Sequence, residues 1–268
     1  MRVPYCVERD MRLSPHCFAV TGLGYSPPWS VNAGFITGGN STLVVDTGAN
    51  ALSAATIYGY ASTVRPGNTL LVVNTEKHFD HIGGNGYFRA RGVEVYGHPG
   101  IQRTQPEFLS EIAEFNGQIS NPARRAHREA EVFYWATNLT NPNRPIGELA
   151  KLDLGDCEIE ILPTPGHTPT NISVFVPSGG VLFCGDCLTN RYFPNLDCGT
   201  AEDWREWLGS LDRIARLAPK IVVPGHGPVA SGDEVAGLIE TTRELLEEAI
   251  RTGFSPTRFS APKSPPAS

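Results

Sequence analysis

Positive charge, long apolar runs and a hydrophobic leader are what this chain has too little of. Lys and Arg number 22 against 28 Asp and Glu, a net charge of −6, which argues against nucleic acid as the partner of its surface. No stretch approaches the ~20 consecutive apolar residues of a membrane span, so no membrane partner is expected. The first 13 residues carry Arg2, Glu8, Arg9, Asp10 and Arg12 and no apolar core. No secretory leader is therefore visible, and a cytoplasmic location is the expectation. Six cysteines in 268 residues do not make a disulfide framework for a chain of that kind. No repeat recurs in any regular window. What remains, 40% hydrophobic and 19% charged residues, is ordinary for a globular protein and enough to bury a sizeable core. One domain is expected over residues 1–254. Residues 255–268, with four Pro and four Ser, read as a disordered tail.

The richest stretch is Asn74-Thr75-Glu76-Lys77-His78-Phe79-Asp80-His81-Ile82-Gly83-Gly84-Asn85. His78, Asp80 and His81 fall within four residues, with the carboxylate of Glu76 two residues earlier. The apolar run 70–73 before them reads as a buried strand, and Gly83-Gly84 after them as a tight turn. A loop at a strand end can aim several such side chains at one point, the usual way a rigid scaffold presents a metal site. Three further residues sit in comparable settings: His167 in Thr164-Pro165-Gly166-His167-Thr168, Asp186 in Cys184-Gly185-Asp186, and His226 in Pro224-Gly225-His226-Gly227. Each follows an apolar, strand-like run (159–162, 181–183 and 221–223), and each lies beside Gly or Pro. Four strand ends could thus converge on one edge of a sheet core.

These motifs, in this order, resemble the signature of the metallo-β-lactamase superfamily: His-x-His-x-Asp-His, then Gly-His, Gly-Asp and Gly-His. The resemblance covers residues 18–230. It includes Val44-Val45-Asp46-Thr47-Gly48, similar to a family strand end whose Asp braces the metal loop. It implies an α/β fold, a four-layer αβ/βα sandwich of two mixed β-sheets with external helices. It also implies two divalent metal ions, zinc in the first place, with iron or manganese as alternatives. One would be held by the residue at 76 with His78 and His167. The other would be held by Asp80, His81 and His226, with Asp186 bridging and Asp46 behind the loop. One departure matters, because the family's first histidine is Glu76 here. A carboxylate still binds metal through oxygen, and it shifts preference toward iron or manganese. The alternative is that Glu76 points away and a single metal binds.

The implied chemistry is hydrolysis of an ester, thioester, lactone or amide in a small-molecule substrate by a metal-bound hydroxide, with Asp80 both ligating and orienting the nucleophile. A β-lactam is disfavoured by the missing leader. A glutathione thioester is disfavoured because the helix expected at 233–251 is acidic rather than basic, and a nuclease by the acidic balance. The second reading is an iron-dependent oxidoreductase using the same carboxylate-rich site. The lack of a flavin-binding module counts against an electron-transfer version of it. Oligomeric state and substrate-binding residues stay open.

Period and punctuation supply the rest. Helices are expected at 52–64, 106–115, 200–217 and 233–251. The third opens with a Thr200/Asp203 capping box and carries a stripe of Trp204, Trp207, Leu208, Leu211 and Ile214. Strands are expected at 17–22, 33–46 with turns between, and 93–96. Residues 117–147 read as irregular, with Phe133-Tyr134-Trp135 either lining a substrate pocket or packing the core. His98 reads as structural, and His16 and His127 as surface residues. Arg124, Arg125 and Arg128 read as a solvated helix face that could also draw an anionic substrate. Cys184 and Cys187 bracket Asp186 in a Cys-x-x-Cys. With no second pair beside them, buried thiols are preferred over a zinc or redox pair.

Overall fold

The computed structural model describes residues 11–24, 30–146, 150–196 and 199–253. The tail expected at 255–268, and Cys6 and Cys198, lie outside them.

Two six-stranded sheets form the centre. The first holds β1 (Cys17–Leu23), β2 (Val31–Thr37), β3 (Ser41–Val45), β4 (Thr69–Val73), β5 (Glu94–Gly97) and β6 (Arg144–Pro145) in that spatial order. β1 to β3 are antiparallel and β3 to β6 parallel. The second sheet runs from β7 (Ala150–Asp153) through β8 (Glu158–Pro163), β9 (Ile172–Val176), β10 (Val181–Phe183) and β11 (Ile221–Val223) to β12 (Ala230–Ser231). It is antiparallel except for β10 and β11. Parallel neighbours need a crossover. Helix Ala51–Val64 crosses from β3 to β4, and helix Ala201–Leu217 from β10 to β11.

Alternation along each strand sorts the layers. Leu43 and Val45 point into the space between the sheets, where they meet Ile159, Ile161, Val174 and Phe183. Val44 between them points outward, onto Ile57 and Ala61 of helix Ala51–Val64. On the other sheet Val181 and Phe183 face inward, while Leu182 faces outward onto a layer built by Trp207, Leu211 and Ile214 with Val235 and Leu246 of helix Asp233–Thr252. Both faces of both sheets are thus covered, and this is why the strands read as nearly continuous apolar runs. The four-layer αβ/βα sandwich of two mixed sheets is the fold that forms.

Expected elements recur with ends shifted by a residue or a few, and helix Gln105–Gln118 runs past 106–115 at its C-terminal end. The Thr200 capping box is present, with the Asp203 carboxylate accepting from Thr200 N at 2.7 Å. The run 33–46 is two strands joined by a Gly38-Gly39 turn. Residues 117–147 are not irregular throughout. Short helices Pro122–Ala126 and Glu129–Phe133 form there, the first capped by the Asn121 side chain. Helices of one turn carry too little periodicity to be visible in sequence. β9 was not anticipated either, although Ile172-Ser173-Val174-Phe175-Val176 is buried throughout.

Candidate metal centre

The ligand-type residues come from loops that leave the C-terminal ends of β4, β8, β10 and β11. β4 ends at Val73, and a short helix, Phe79–Ile82, immediately follows His78. That turn sends His78, Asp80 and His81 to one side. Two buried asparagines hold the loop: Asn74 Nδ2 donates to His81 O at 3.2 Å, and Asn85 Nδ2 to Asn74 Oδ1 at 2.8 Å. Thr47 Oγ1 donates to His81 O at 3.0 Å. Asp46, at φ 61 in the left-handed region, ends β3. Its Oδ1 accepts from Thr75 N at 2.7 Å, and its Oδ2 lies 2.9 Å from His81 Nδ1.

The structure brings all seven sequence-derived ligand candidates together. Glu76, His78 and His167 form one group, and Asp80, His81 and His226 a second. A third, Glu76, His81 and Asp186, overlaps both; within each group the donor atoms lie within 4.8 Å of one another. Asp186 reaches His81 Nε2 at 3.2 Å, His226 Nε2 at 3.3 Å and His167 Nε2 at 3.4 Å. Glu76 does not point away. It is fully buried, with Oε2 2.9 Å from His78 Nδ1 and Oε1 3.4 Å from His81 Nε2.

Outer contacts orient the imidazoles. His81 Nδ1 faces Asp46, His167 Nδ1 faces Asn195 O at 3.1 Å, and His226 Nδ1 faces Ser30 O at 3.0 Å. Each can then donate from Nδ1 and present a bare Nε2 to the cluster, the arrangement that metal-ligating histidines adopt. Three atoms of the cluster, Glu76 Oε2, His81 Nε2 and Asp186 Oδ1, are buried with no hydrogen-bond partner. His167 Nε2 and His78 Nδ1 face each other at 3.1 Å. Buried polar atoms are ordinarily satisfied, so this set fits a cation between them.

The electrostatics agree. Burial depresses the His81 and His226 imidazolium forms, but the carboxylates facing them outweigh it and raise both well above the ordinary value. Burial opposes ionisation of Asp186 and Asp80, yet the imidazoles win. Asp186 lies well below its usual range and Asp80 falls to about 2. Burial keeps His167 low. The site holds negative charge that only cations, protons or metal, can balance.

Sequence reasoning missed the brace at Asn32. Its Nδ2 donates to Pro224 O at 2.9 Å and to Gly227 O at 2.7 Å, and its N–H to Gly225 O at 2.8 Å, holding the His226 loop against β2. A lone amide in an apolar strand was the available signal. The glycine of Pro224-Gly225-His226 has a reason as well, since a Cβ there would strike the Asp186 carboxylate.

The remaining candidates separate from the site. His98 belongs to none of the ligand groups among the described residues, and its Nδ1 accepts from Gly100 N at 3.0 Å. His127 is exposed. His16 is not a free surface residue: half-buried, its Nδ1 lies 2.8 Å from Thr37 O. Arg124 and Arg128 pair with Glu129 and Glu131. Tyr134 packs with Phe79 and Phe108 while Trp135 is 87% exposed, so the three aromatics do not act as one unit. Cys184 and Cys187 are buried free thiols. A groove of about 1030 Å³ lies at the opposite end of the first sheet, between Phe18, Thr37 and helix Ala51–Val64, away from the ligand edge.

Residues 26–226 match the profile of the Metallo-beta-lactamase superfamily. The Bacillus subtilis (strain 168) protein named "Probable metallo-hydrolase YqjP" is 28% identical over 252 residues, 82% of this chain and 77% of the relative. A hydroxyacylglutathione hydrolase of Rhodospirillum rubrum is 26% identical over 193 residues, 69% of this chain and 61% of that protein. This chain thus spans less than two thirds of the second relative. The fold is similar to that of a metallo-beta-lactamase from Pontibacter korlensis, with a TM-score of 0.63, 20% identity, and 88% and 97% of the two chains covered. The match over three quarters of the sequence, on the sandwich and loops described above, means that the chain belongs to the metallo-beta-lactamase superfamily and is an enzyme of that fold.

Proposed function

We propose that the protein is a metal-dependent hydrolase of an ester, thioester, lactone or amide bond in a small-molecule substrate. Three buried atoms in one seven-residue cluster, Glu76 Oε2, His81 Nε2 and Asp186 Oδ1, which face other ligand atoms without forming a hydrogen bond, carry this reading. Glu76, His78 and His167 would hold one divalent ion, and Asp80, His81 and His226 the other, with Asp186 reaching both. Bound there, two ions would supply Lewis acidity toward the scissile carbonyl and toward water.

The protein's own groups supply position. Asp80, half-buried, is lowered to about 2 by His81 and His226 against its burial, so it is ionised near neutral pH in the metal-free protein. Its role is to accept a hydrogen bond at a carboxylate oxygen and orient the attacking water. Asp46 keeps the His81 ring turned, and Asn195 O and Ser30 O do the same for His167 and His226. Phe79, Phe108 and Tyr134 form an apolar wall behind the loop that carries Asp80.

The names of the relatives put a glutathione thioester and a β-lactam into the substrate panel, beside an aryl ester and a lactone. Chelator-treated protein, and protein reloaded with zinc, manganese or ferrous iron, should be assayed on all four. Hydrolysis of at least one class, abolished by chelation and restored by metal, is expected. Inactivity of every reloaded form on the whole panel would overturn the proposal. The carboxylate-rich donor set Glu76, Asp80 and Asp186 supports one second reading, an iron-dependent oxidoreductase. Iron retained through purification, with visible absorption and oxygen uptake, would favour it.

A further inference from the structure

We propose that Glu76 bridges the two metal ions rather than serving one of them, a proposal that rests on reading the seven-residue cluster as a dinuclear metal centre. Its two oxygens face different partners. Oε2 lies 2.9 Å from His78 Nδ1, which in turn lies 3.1 Å from His167 Nε2. Oε1 lies 3.4 Å from His81 Nε2, which lies 3.2 Å from Asp186 Oδ1. One residue therefore completes two ligand groups, Glu76 with His78 and His167, and Glu76 with His81 and Asp186.

The surroundings hold the carboxylate in that orientation. The His78 backbone N–H donates to Oε1 at 3.1 Å, while Oε2 has no hydrogen-bond partner although it is buried. The cluster contains no Lys or Arg, and the groups facing Glu76 are the imidazoles of His78 and His81. Ligand chemistry sharpens the point. An imidazole at 76 would offer one lone pair to one ion, because its second nitrogen lies on the far side of the ring. A carboxylate has two donor oxygens on one carbon. Exchanging His for Glu at this position thus changes how the two ions are connected as well as which metal is preferred. With Asp186 also central, the ions would share two carboxylates.

The test is Mn(II) binding to the full, chelator-treated chain, read by equilibrium dialysis and by electron paramagnetic resonance. Wild type is expected to bind two equivalents with a spin-coupled signal. Glu76→His restores a ligand to the His78–His167 group only. It should therefore weaken the other equivalent by roughly tenfold or more and weaken the coupling, which Asp186 alone would then carry. Glu76→Gln, which keeps the shape, should weaken both equivalents. His78→Ala, the comparison, should lose one equivalent and leave the other nearly unchanged. The bridge is refuted if Glu76→His and Glu76→Gln behave like His78→Ala, leaving one equivalent at wild-type affinity. Wild type binding no metal would instead overturn the metal-centre reading itself. Circular dichroism of the metal-free variants checks that each is folded, and the near-isosteric Glu76→Gln keeps the question answerable if Glu76→His is not.

Discussion

His81 is fully buried and faced by Asp46, Asp80, Asp186 and Glu76. Against the cost of burial, those carboxylates raise it, and Asp186 and Asp80 likewise raise His226. A metal must displace the protons these rings hold. Zinc binding should therefore release protons, and isothermal titration in two buffers of different ionisation enthalpy should give different apparent heats. Equal heats in the two buffers would contradict the electrostatics. The same raised values fix the stability of the metal-free protein. A histidine raised above its ordinary value of 6.5 contributes stability that is complete below that pH and lost as pH climbs through the raised value. The thermal midpoint of chelated protein is thus expected to fall from about pH 6.5 upward; a rise over that window would show that other groups dominate. Asp46 offers a sharper residue-scale probe. Asp46→Asn keeps the shape but removes the charge opposite His81 Nδ1, and metal affinity is expected to fall by roughly 10–100-fold. Unchanged affinity would mean that the ring needs no such brace.

At the scale of elements, helix Ala201–Leu217 supports the His167 loop. Trp207 is fully buried, its Nε1 donates to Cys187 O at 2.9 Å, and its ring meets that of His167 at 5.7 Å. Gly166, at φ 147, lies against Trp207, where a Cβ would collide with the indole. Gly166→Ala is expected to push the His167 loop off the helix and cost one metal equivalent while the fold survives. Full metal content in that variant would show that the loop can move aside without consequence. Trp207→Ala should destabilise by about 3–5 kcal/mol through lost burial and a cavity. Thr200→Ala, which removes only the cap, should cost about 1 kcal/mol. Chemical denaturation separates the two, and a Trp207→Ala loss near that of the cap would mean that the site collapses around the gap.

For the whole molecule, the centre sits where the two sheets meet at one edge. β4 supplies Glu76, His78, Asp80 and His81 from the first sheet; β8, β10 and β11 supply His167, Asp186 and His226 from the second. Asn32 adds a covalently distant clamp, joining β2 to the His226 loop. Ions bound there would tie the halves of the chain together. A ligand that binds only the folded state stabilises it by about 2.7 kcal/mol at a concentration 100 times its Kd. Chelation should therefore lower the thermal midpoint of the whole domain in a single transition, and added metal should restore it. A midpoint indifferent to chelator would separate the centre from the stability of the fold.

His167, Asp186 and His226 were legible because each stands beside Gly on the loop after an apolar run, and Glu76, His78, Asp80 and His81 because they crowd into six residues after another, a pattern set by local steric and burial requirements. Most of the buried strands, though not β9, and the Trp207 and Leu246 helices were legible too, because apolar runs and periodicity record which faces are dry. Glu76 was legible as a candidate, yet its direction was not. Whether a side chain turns inward depends on the register of β4 and on Asp46, Asn74 and Asn85 gripping the loop from positions up to 35 residues away in sequence. The one-turn helices at 122–126 and 129–133 and the carbonyls behind His167 and His226 carry no local signature, and the lone amide of Asn32 does not say what it clamps. A backbone carbonyl is the same atom at every residue, and only the tertiary structure decides which one a histidine meets.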